Sequence, residues 1–276
     1  MMHARWWLVF CGFVFLSFAC VSSAQVRTSQ RWMTGWEATQ QAPQGFLGQQ
    51  ADEIENQTVR MVIRTTVAGA TIRVLLSNEL SRHALWIKSA HVALAGPGCS
   101  ILPGSDHPLA FGGESSIIIP PGAPALSDPA MLNVTAFAEI AISLFVPQRI
   151  DATTFHLLAQ HPTCISGPGD QTAQQQFARP LEKKSWYWLN AVEVLSPTSI
   201  QGIAALGDSI TDGFGANWQY ADWPDQLARL LDSNPSTANR FSVINAGIGG
   251  NRVLHDGDGC QAHCRESIVT YSHSRE

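Results

Sequence analysis

Apolar and polar side chains alternate in many short stretches between residues 30 and 196. Thr58–Val67 and Ala70–Ser77 alternate on either side of Gly69, which predicts a β-hairpin. Turns rich in glycine and proline separate further predicted strands. Many short strands with few helical periods predict an N-terminal all-β, sandwich or jelly-roll-like domain over residues 30–196. The other predicted strands are Leu85–Ala95, Ser115–Ile119, Glu139–Val146, Thr153–Gln160 and Trp186–Leu195, and Gln171–Lys184 is predicted as a surface loop.

The pattern changes after a predicted linker at residues 197–201. Ile203–Leu206 predicts a buried strand, and Trp223–Leu231 has the spacing of a helix whose N-cap is Asp222. Phe241–Asn245 predicts the next buried strand. The order strand, helix, strand is the opening of a doubly wound α/β domain, which we place at residues 202–259.

The first 24 residues predict an export signal. Arg5 supplies the positive charge, Trp6–Ala19 is apolar, and Ser22–Ala24 offers small residues for cleavage. The apolar run is shorter than the ~20 residues that a membrane span needs, so we expect no stable span after cleavage. A secreted or periplasmic protein is predicted, and a lipoprotein attached through Cys20 is the alternative.

Composition and cysteines limit the partners. The formal net charge is −5 without any run of Lys or Arg, which argues against nucleic acid as a partner. Cys99 and Cys164 either pair in an oxidising compartment or stay as two buried thiols. Cys260, His263 and Cys264 have no second pair of ligands near them, so no metal site is predicted there.

Ile203–Gly213 is the most informative segment. Four apolar residues end at Gly207, and Asp208 and Ser209 follow at a tight turn before a helix. The Ser209 hydroxyl is thus predicted at the carboxyl end of a strand, where open α/β sheets bind ligands and backbone N–H groups stabilise an oxyanion. A serine that only caps the helix is the alternative.

Gly207-Asp208-Ser209-Ile210 resembles the first block of the GDSL, or SGNH, hydrolases. Val243-Ile244-Asn245-Ala246-Gly247-Ile248-Gly249-Gly250-Asn251 resembles the second block at the spacing of that family. The resemblance implies that Ser209 is the nucleophile and an oxyanion donor through its N–H, and that Gly250 supplies a second N–H. A plain turn is the alternative for Gly250. The resemblance further implies supporting roles in the motif for Gly207, Asp208, Asn245 and Gly247.

Two further blocks of such hydrolases do not occur in the sequence. The family carries Gly-x-Asn-Asp, whose Asn is an oxyanion donor, and a late Asp-x-x-His, whose His is the base. His255 lies in a Gly/Asp-rich loop and is predicted to be a surface residue. Residues 260–276 show neither helical nor strand periodicity. Translation of this segment in a shifted reading frame gives an amino-acid sequence that resembles the family's continuation. We therefore predict a frameshift near codon 259, with residues 260–276 out of frame; a genuine short protein is the alternative.

The resemblance implies an exported serine ester hydrolase that acts on short-chain or carbohydrate esters and is inactive in this truncated chain. The alternative is a β-domain that binds a glycan, followed by a vestigial hydrolase stub. Trp32, Trp36 and Trp186-Tyr187-Trp188 either stack on sugars or pack inside the protein. No cofactor follows from either function.

Overall fold

A computed structural model of the chain describes residues 29–43, 50–159, 161–216 and 220–252. The predicted export signal at residues 1–24, the predicted tail at 260–276 and His255 lie outside the described residues. No helix within the described ranges is both long enough and apolar enough to cross a membrane.

The elements of the described chain are mostly short strands. In chain order they are β1 (Gln30–Glu37), β2 (Glu53–Ile54), β3 (Gln57–Arg64), β4 (Gly69–Ser77), β5 (Leu85–Ile87), β6 (Ser89–Leu94), β7 (His107–Pro108), β8 (Ile117–Ile119), β9 (Pro124–Leu126), β10 (Ala130–Val134), β11 (Glu139–Val146), β12 (Ile150–Asp151), β13 (Phe155–His156), β14 (Thr163–Pro168), β15 (Leu181–Lys183), β16 (Trp186–Tyr187), β17 (Leu189–Pro197), β18 (Gln201–Gly207), α1 (Ser209–Asp212), α2 (Trp223–Ser233) and β19 (Phe241–Gly247).

Two antiparallel sheets form the N-terminal part. One has the order β1-β17-β4-β10, with β9 also paired to β4, and the other has the order β15-β14-β3-β11-β6-β7. Their apolar inner faces, which include Ile63, Val74, Ile142 and Val192, belong to a single buried core. The predicted β-sandwich-like region is confirmed.

The predicted hairpin of Thr58–Val67 with Ala70–Ser77 is wrong. β3 pairs with β11 and β14, whereas β4 pairs with β17, β10 and β9, so the chain crosses from one sheet to the other. Gly69 does not turn a hairpin. It lies against β17, where a Cβ atom would come 2.6 Å from the carbonyl oxygen of Leu195. Period-2 alternation fits a hairpin and a crossover equally well, which explains the error.

Several other predicted strands are interrupted or shorter in the structure. The predicted strand Leu85–Ala95 is divided into β5 and β6, and Trp186–Leu195 is divided at Trp188, whose φ is 56°. Among the described residues of the predicted strand Thr153–Gln160, Phe155–His156 form a strand and the others do not. The predicted loop Gln171–Lys184 contains β15, which pairs with β14. Glu139–Val146 is a strand as predicted, while only Ile117–Ile119 of Ser115–Ile119 is one.

The C-terminal part has the predicted order of strand, helix and strand. β18 and β19 are parallel neighbours, and the Asp222 carboxylate caps α2 by accepting a 2.9 Å hydrogen bond from the Asp225 amide. The prediction that Ile203–Leu206 is buried is only half right. Ala205 is buried, but the Leu206 side chain on the opposite face is 55% exposed. The described residues therefore cover one face of this sheet well and leave the other open.

The α/β part packs on the β-sandwich. The Ser242 hydroxyl of β19 donates a 2.5 Å hydrogen bond to the Thr34 carbonyl of β1. Arg64 of β3 forms a buried ion pair with Asp225 of α2, and its guanidinium lies 4.0 Å from the centre of the Tyr220 ring. The predicted linker at 197–201 falls where β17 ends and β18 begins, and the proposed division into domains at this point stays a prediction.

Cys99 and Cys164 form a disulfide, with their Cα atoms 6.0 Å apart. Of the two alternatives for these residues, the pair is therefore the one observed. Both sulfurs lie in a small buried cluster with Phe177, outside the main core. The bond ties the turn after β6 to β14 of the same sheet.

We expect replacement of both Cys99 and Cys164 by serine to lower the free energy of unfolding by about 2–4 kcal/mol. The sequence separation is 65 residues, so the bond removes considerable entropy from the unfolded chain. Urea denaturation of the oxidised protein and of the double variant measures the loss. A reductant should destabilise the unchanged protein and leave the double variant unaffected; equal effects on both would contradict the assignment.

Candidate active site

Ser209 stands at the turn between β18 and α1. The strand ends at Gly207, and Asp208 is the N-cap of the helix, where its carboxylate accepts a 3.0 Å hydrogen bond from the Ile210 amide. Ser209 is the first helical residue and is half-buried. Because Asp208 is the cap, the alternative that Ser209 only caps the helix is wrong. The serine hydroxyl is left available for another task.

The turn after β19 lies beside this strand end. The Ile248 amide and the Asn251 side-chain amide both donate to the Gly207 carbonyl, at 3.2 and 3.1 Å. Gly250 sits between them with φ 75°, a conformation that side chains rarely adopt. The two sequence blocks are thus joined by direct hydrogen bonds, with Gly207 as their common anchor.

The glycines of both blocks permit close packing against α1. A Cβ atom on Gly207 would lie 1.9 Å from the Thr211 hydroxyl oxygen, and one on Gly247 would lie 2.3 Å from the Asp212 amide nitrogen. Any larger residue would push α1 away from the two strands. These positions therefore explain why the motif needs glycine before and after the serine turn.

Asn245 holds α1 against β19. Its side-chain amide donates a 2.7 Å hydrogen bond to the Thr211 carbonyl, and its side-chain oxygen accepts a 2.9 Å bond from the Gly247 amide. These contacts fit a supporting role for Asn245. The assignment of catalytic roles to Ser209 and Gly250 stays a prediction.

Within the described ranges, the Ser209 hydroxyl makes no hydrogen bond, so no base is in place to accept its proton. The described part of the chain also contains no group of three or more His, Cys, Asp and Glu side chains that would hold a metal ion. Among the described residues, the Ser209 hydroxyl therefore lies at the strand end without a side chain hydrogen-bonded to it.

A contact that the sequence did not reveal lies directly behind this turn. Asp212, the last residue of α1, is buried, and its Oδ1 atom lies 2.8 Å from Nε2 of His156. His156 belongs to β13 of the sandwich and is 56 residues away in sequence, so no local pattern could pair them. Asp212 stands in the segment Ile203–Gly213, but nothing in that segment pointed to His156.

A small cavity of about 50 Å³ separates the sandwich from the α/β part next to this pair. Its lining includes Glu37, whose pKa burial raises to about 7, and Asp222, whose pKa burial raises to about 6. Arg64 and Tyr220 also line it. Ser209 does not, so the cavity is no substrate pocket for the serine and belongs to the junction of the two parts.

The aromatic residues do not form a sugar platform. Trp36 and Trp186 pack edge to face with ring centres 4.9 Å apart, and both are buried. Tyr187 and Trp188 are almost completely inaccessible. Trp32 is half-buried beneath the guanidinium of Arg73. For this set, packing inside the protein is the alternative that the structure supports.

Comparison with known proteins finds similarity to a protein family and to solved structures. Residues 205–266 match the model of the GDSL-like Lipase/Acylhydrolase family. Among solved structures, a family two carbohydrate esterase from Cellvibrio japonicus matches at 12% identity and a TM-score of 0.18, with 81% of this chain and 53% of that chain covered. The chain thus spans about half the length of that esterase, and such a TM-score carries no argument about the fold. No curated protein matches the sequence.

The family match begins at Ala205 in β18 and includes both sequence blocks. It also runs past Gly259 into the segment predicted to be out of frame, and the frameshift stays a prediction. The resemblance drawn from the two blocks is confirmed by this match of residues 205–266 to the GDSL-like Lipase/Acylhydrolase model.

Proposed function

We propose that this protein is an exported serine ester hydrolase whose nucleophile is Ser209 and whose substrates are short-chain or carbohydrate esters. One observation carries the proposal: the serine turn at the end of β18 is free of a capping role and is hydrogen-bonded, through Gly207, to the turn that holds Gly250. Strand ends of this type bring a nucleophile and backbone N–H donors to one place.

In the proposed reaction the Ser209 hydroxyl oxygen attacks the ester carbonyl carbon. The backbone N–H groups of Ser209 and Gly250 stabilise the negative charge that develops on the carbonyl oxygen. The serine proton passes to a base and then to the leaving alcohol, and water hydrolyses the acyl-enzyme. No metal or organic cofactor enters any of these steps.

We further propose that this 276-residue chain has no esterase activity. A serine hydroxyl is a poor nucleophile unless a base takes its proton, and no described residue does so here. Exposed apolar side chains on β18, on α1 and in the turn after α1 support incompleteness: Leu206, Ile210 and Phe214 are 55%, 73% and 68% exposed. Apolar side chains at such exposure fit a domain whose remaining strands and helices come from a longer reading frame.

The experiment is to sequence the gene from codon 240 through several hundred bases after the stop, and to express the product of any restored frame. We expect a frame that encodes Gly-x-Asn-Asp and a late Asp-x-x-His, and a product that hydrolyses nitrophenyl acetate and acetylated polysaccharide. The 276-residue chain should show no turnover in the same assays. A confirmed stop without such a frame, or turnover by the short chain, would refute this part of the proposal.

Export is tested separately by fractionating the producing cells and determining the N-terminus of the mature protein. Cleavage after Ala24 supports the proposal, and a retained leader in the cytoplasm contradicts it. The alternative of a glycan-binding module has lost its main support, because four of the five aromatic candidates are in the core.

A further inference from the structure

A chain of hydrogen bonds leads from the β-sandwich to the turn that carries Gly250. The Nδ1 atom of His156 lies 2.8 Å from the Thr39 carbonyl oxygen, and Nε2 lies 2.8 Å from Oδ1 of Asp212. The other carboxylate oxygen of Asp212 accepts a 2.9 Å hydrogen bond from the Gly249 amide. Gly249 directly precedes Gly250. The sandwich therefore contacts the candidate oxyanion turn through only one intervening side chain.

The partners of His156 define its protonation state. The Thr39 carbonyl can only accept a hydrogen bond, and so can an ionised Asp212, so both ring nitrogens must carry a proton to bond both groups. Burial alone would lower the pKa of His156, but the Asp212 carboxylate and the Thr39 carbonyl outweigh it and raise the pKa. The ring is also stacked on Trp186, with centres 5.6 Å apart. His156 is thus a fixed, buried imidazolium.

Other charged groups lie around the same cavity and are partly engaged elsewhere. Arg64 is paired with Asp225, and Asp222 caps α2. Glu37 and the Tyr220 ring complete the titratable groups on this side. His156 and Asp212 form a buried pair that joins the sandwich to α1.

We infer that His156 is a positioning residue for the oxyanion turn: it holds the Asp212 carboxylate, which in turn fixes the Gly249 amide and with it the direction of the Gly250 N–H. This role rests on the proposed function of Ser209 and Gly250 and extends it to the sandwich. It gives the β-domain a task in the reaction, namely to complete the support of the active-site turn.

The physical basis is the cost of removing a hydrogen-bond donor from a buried carboxylate. Without the His156 ring, Oδ1 of Asp212 loses its 2.8 Å contact with the sandwich, and the carboxylate loses the contact that fixes its orientation. This change weakens its bond to the Gly249 amide. Gly250 has no side chain to hold it in place, so the turn is ordered by this amide bond together with the bonds of Ile248 and Asn251 to the Gly207 carbonyl and of the Asn251 amide to the Ile248 carbonyl.

The test is amide hydrogen exchange of the full chain, which needs no ester turnover. His156→Phe keeps the ring on Trp186 but removes both N–H donors, and we expect the Gly249 amide to exchange about 10- to 100-fold faster. His156→Gln restores a donor to Asp212 and should stay close to the unchanged chain. His161→Phe is the matched control, since His161 stacks on Tyr220 and not on Asp212.

The pattern of exchange separates positioning from general stability. Faster exchange limited to Gly249–Asn251, with the amides between β18 and β19 unchanged, supports the inference. Equal acceleration throughout β19, or no acceleration at Gly249, overturns it. If His156→Phe does not fold, nitrogen NMR of the labelled, unchanged protein decides the matter near pH 7, where ordinary histidines are mostly neutral.

In that spectrum we expect both ring nitrogens of His156 to be protonated, and one of them to lose its proton in Asp212→Asn. A neutral His156 in the unchanged chain overturns the inference. Neither measurement involves Ser209, so their failure leaves the esterase proposal standing. If the restored enzyme showed no turnover that depends on Ser209, while Gly249 exchanged as expected in the His156 variants, only the proposed function would be refuted.

Discussion

Ser209→Ala in the enzyme made from a restored reading frame should lower kcat for ester hydrolysis by about 10⁶-fold, the loss measured when a triad nucleophile is removed from a protease. The reason is that alanine offers no oxygen to attack the carbonyl carbon, while both proposed oxyanion donors are backbone groups and stay in place. KM should change little, because the backbone of the turn is unaltered. Steady-state hydrolysis of nitrophenyl acetate measures both constants.

A matched control is Ser233→Ala, which removes the hydroxyl of an exposed serine at the end of α2. It should leave kcat unchanged. Labelling with a fluorophosphonate adds a second readout, since the reagent should modify Ser209 in the active enzyme and fail to modify the alanine variant. Residual turnover above one hundredth of the unchanged enzyme would show that another group is the nucleophile.

The serine turn was predictable because its signals are local. The apolar run before Gly207, the tight turn at Asp208 and Ser209 and the spacing to the second block all lie within a few residues or in one unbroken order. The structure places them as that order requires, and Asp222 caps α2 as predicted. Local sequence chemistry determines such turns and caps, so tertiary contacts had little to alter.

Contacts between distant segments were not predictable in the same way. Alternation in β3 and β4 fits both a hairpin and a crossover, and only the pairing with β11 and β17 distinguishes them. The His156–Asp212 pair joins a two-residue strand to a four-residue helix, and neither has a period from which its partner follows. The sequence around Trp186 does not distinguish a tryptophan that packs in the core from one that stacks on a sugar. The sequence pattern predicts which face of a strand is apolar. Which other element packs against that face depends on the whole fold.

Arg60 illustrates this limit and leads to the second large effect. It lies at a polar position of β3, on the face opposite Met61, yet it is completely buried. Its guanidinium donates to the Ser143 hydroxyl at 2.9 Å and to three backbone carbonyls, with distances of 2.9, 3.1 and 2.7 Å to those of Cys99, Thr172 and Gln174. Burial lowers its pKa to about 10, while Asp106 opposes the shift, so it is charged near neutral pH.

Arg60→Ala should lower the free energy of unfolding by about 3–5 kcal/mol, because it takes the donor away from the Ser143 hydroxyl and from several backbone carbonyls, among them the buried contacts with Cys99 and Thr172. Urea denaturation followed by circular dichroism measures the change. Arg60→Lys should lose less, since it keeps a charge but not the planar fork. The control is Arg149→Ala: its exposed ion pair with Glu53 should contribute less than about 1 kcal/mol. Equal losses for Arg60→Ala and Arg149→Ala would contradict the role assigned to Arg60.

The segment around Cys99 allows a further test of the role of Arg60. Arg60 binds the carbonyl of Cys99, and Cys99 is bonded to Cys164, which faces Arg60 across the β3–β14 pair. Because the disulfide and the Arg60 guanidinium hold the same segment against the sheet, the losses of unfolding free energy on removing each of them should not be additive. Arg60→Ala in the protein without the disulfide should cost less than in the oxidised protein, since the segment is then already loosened. A double-mutant cycle measures this coupling, and strict additivity would show that the disulfide and the guanidinium act on separate parts of the fold.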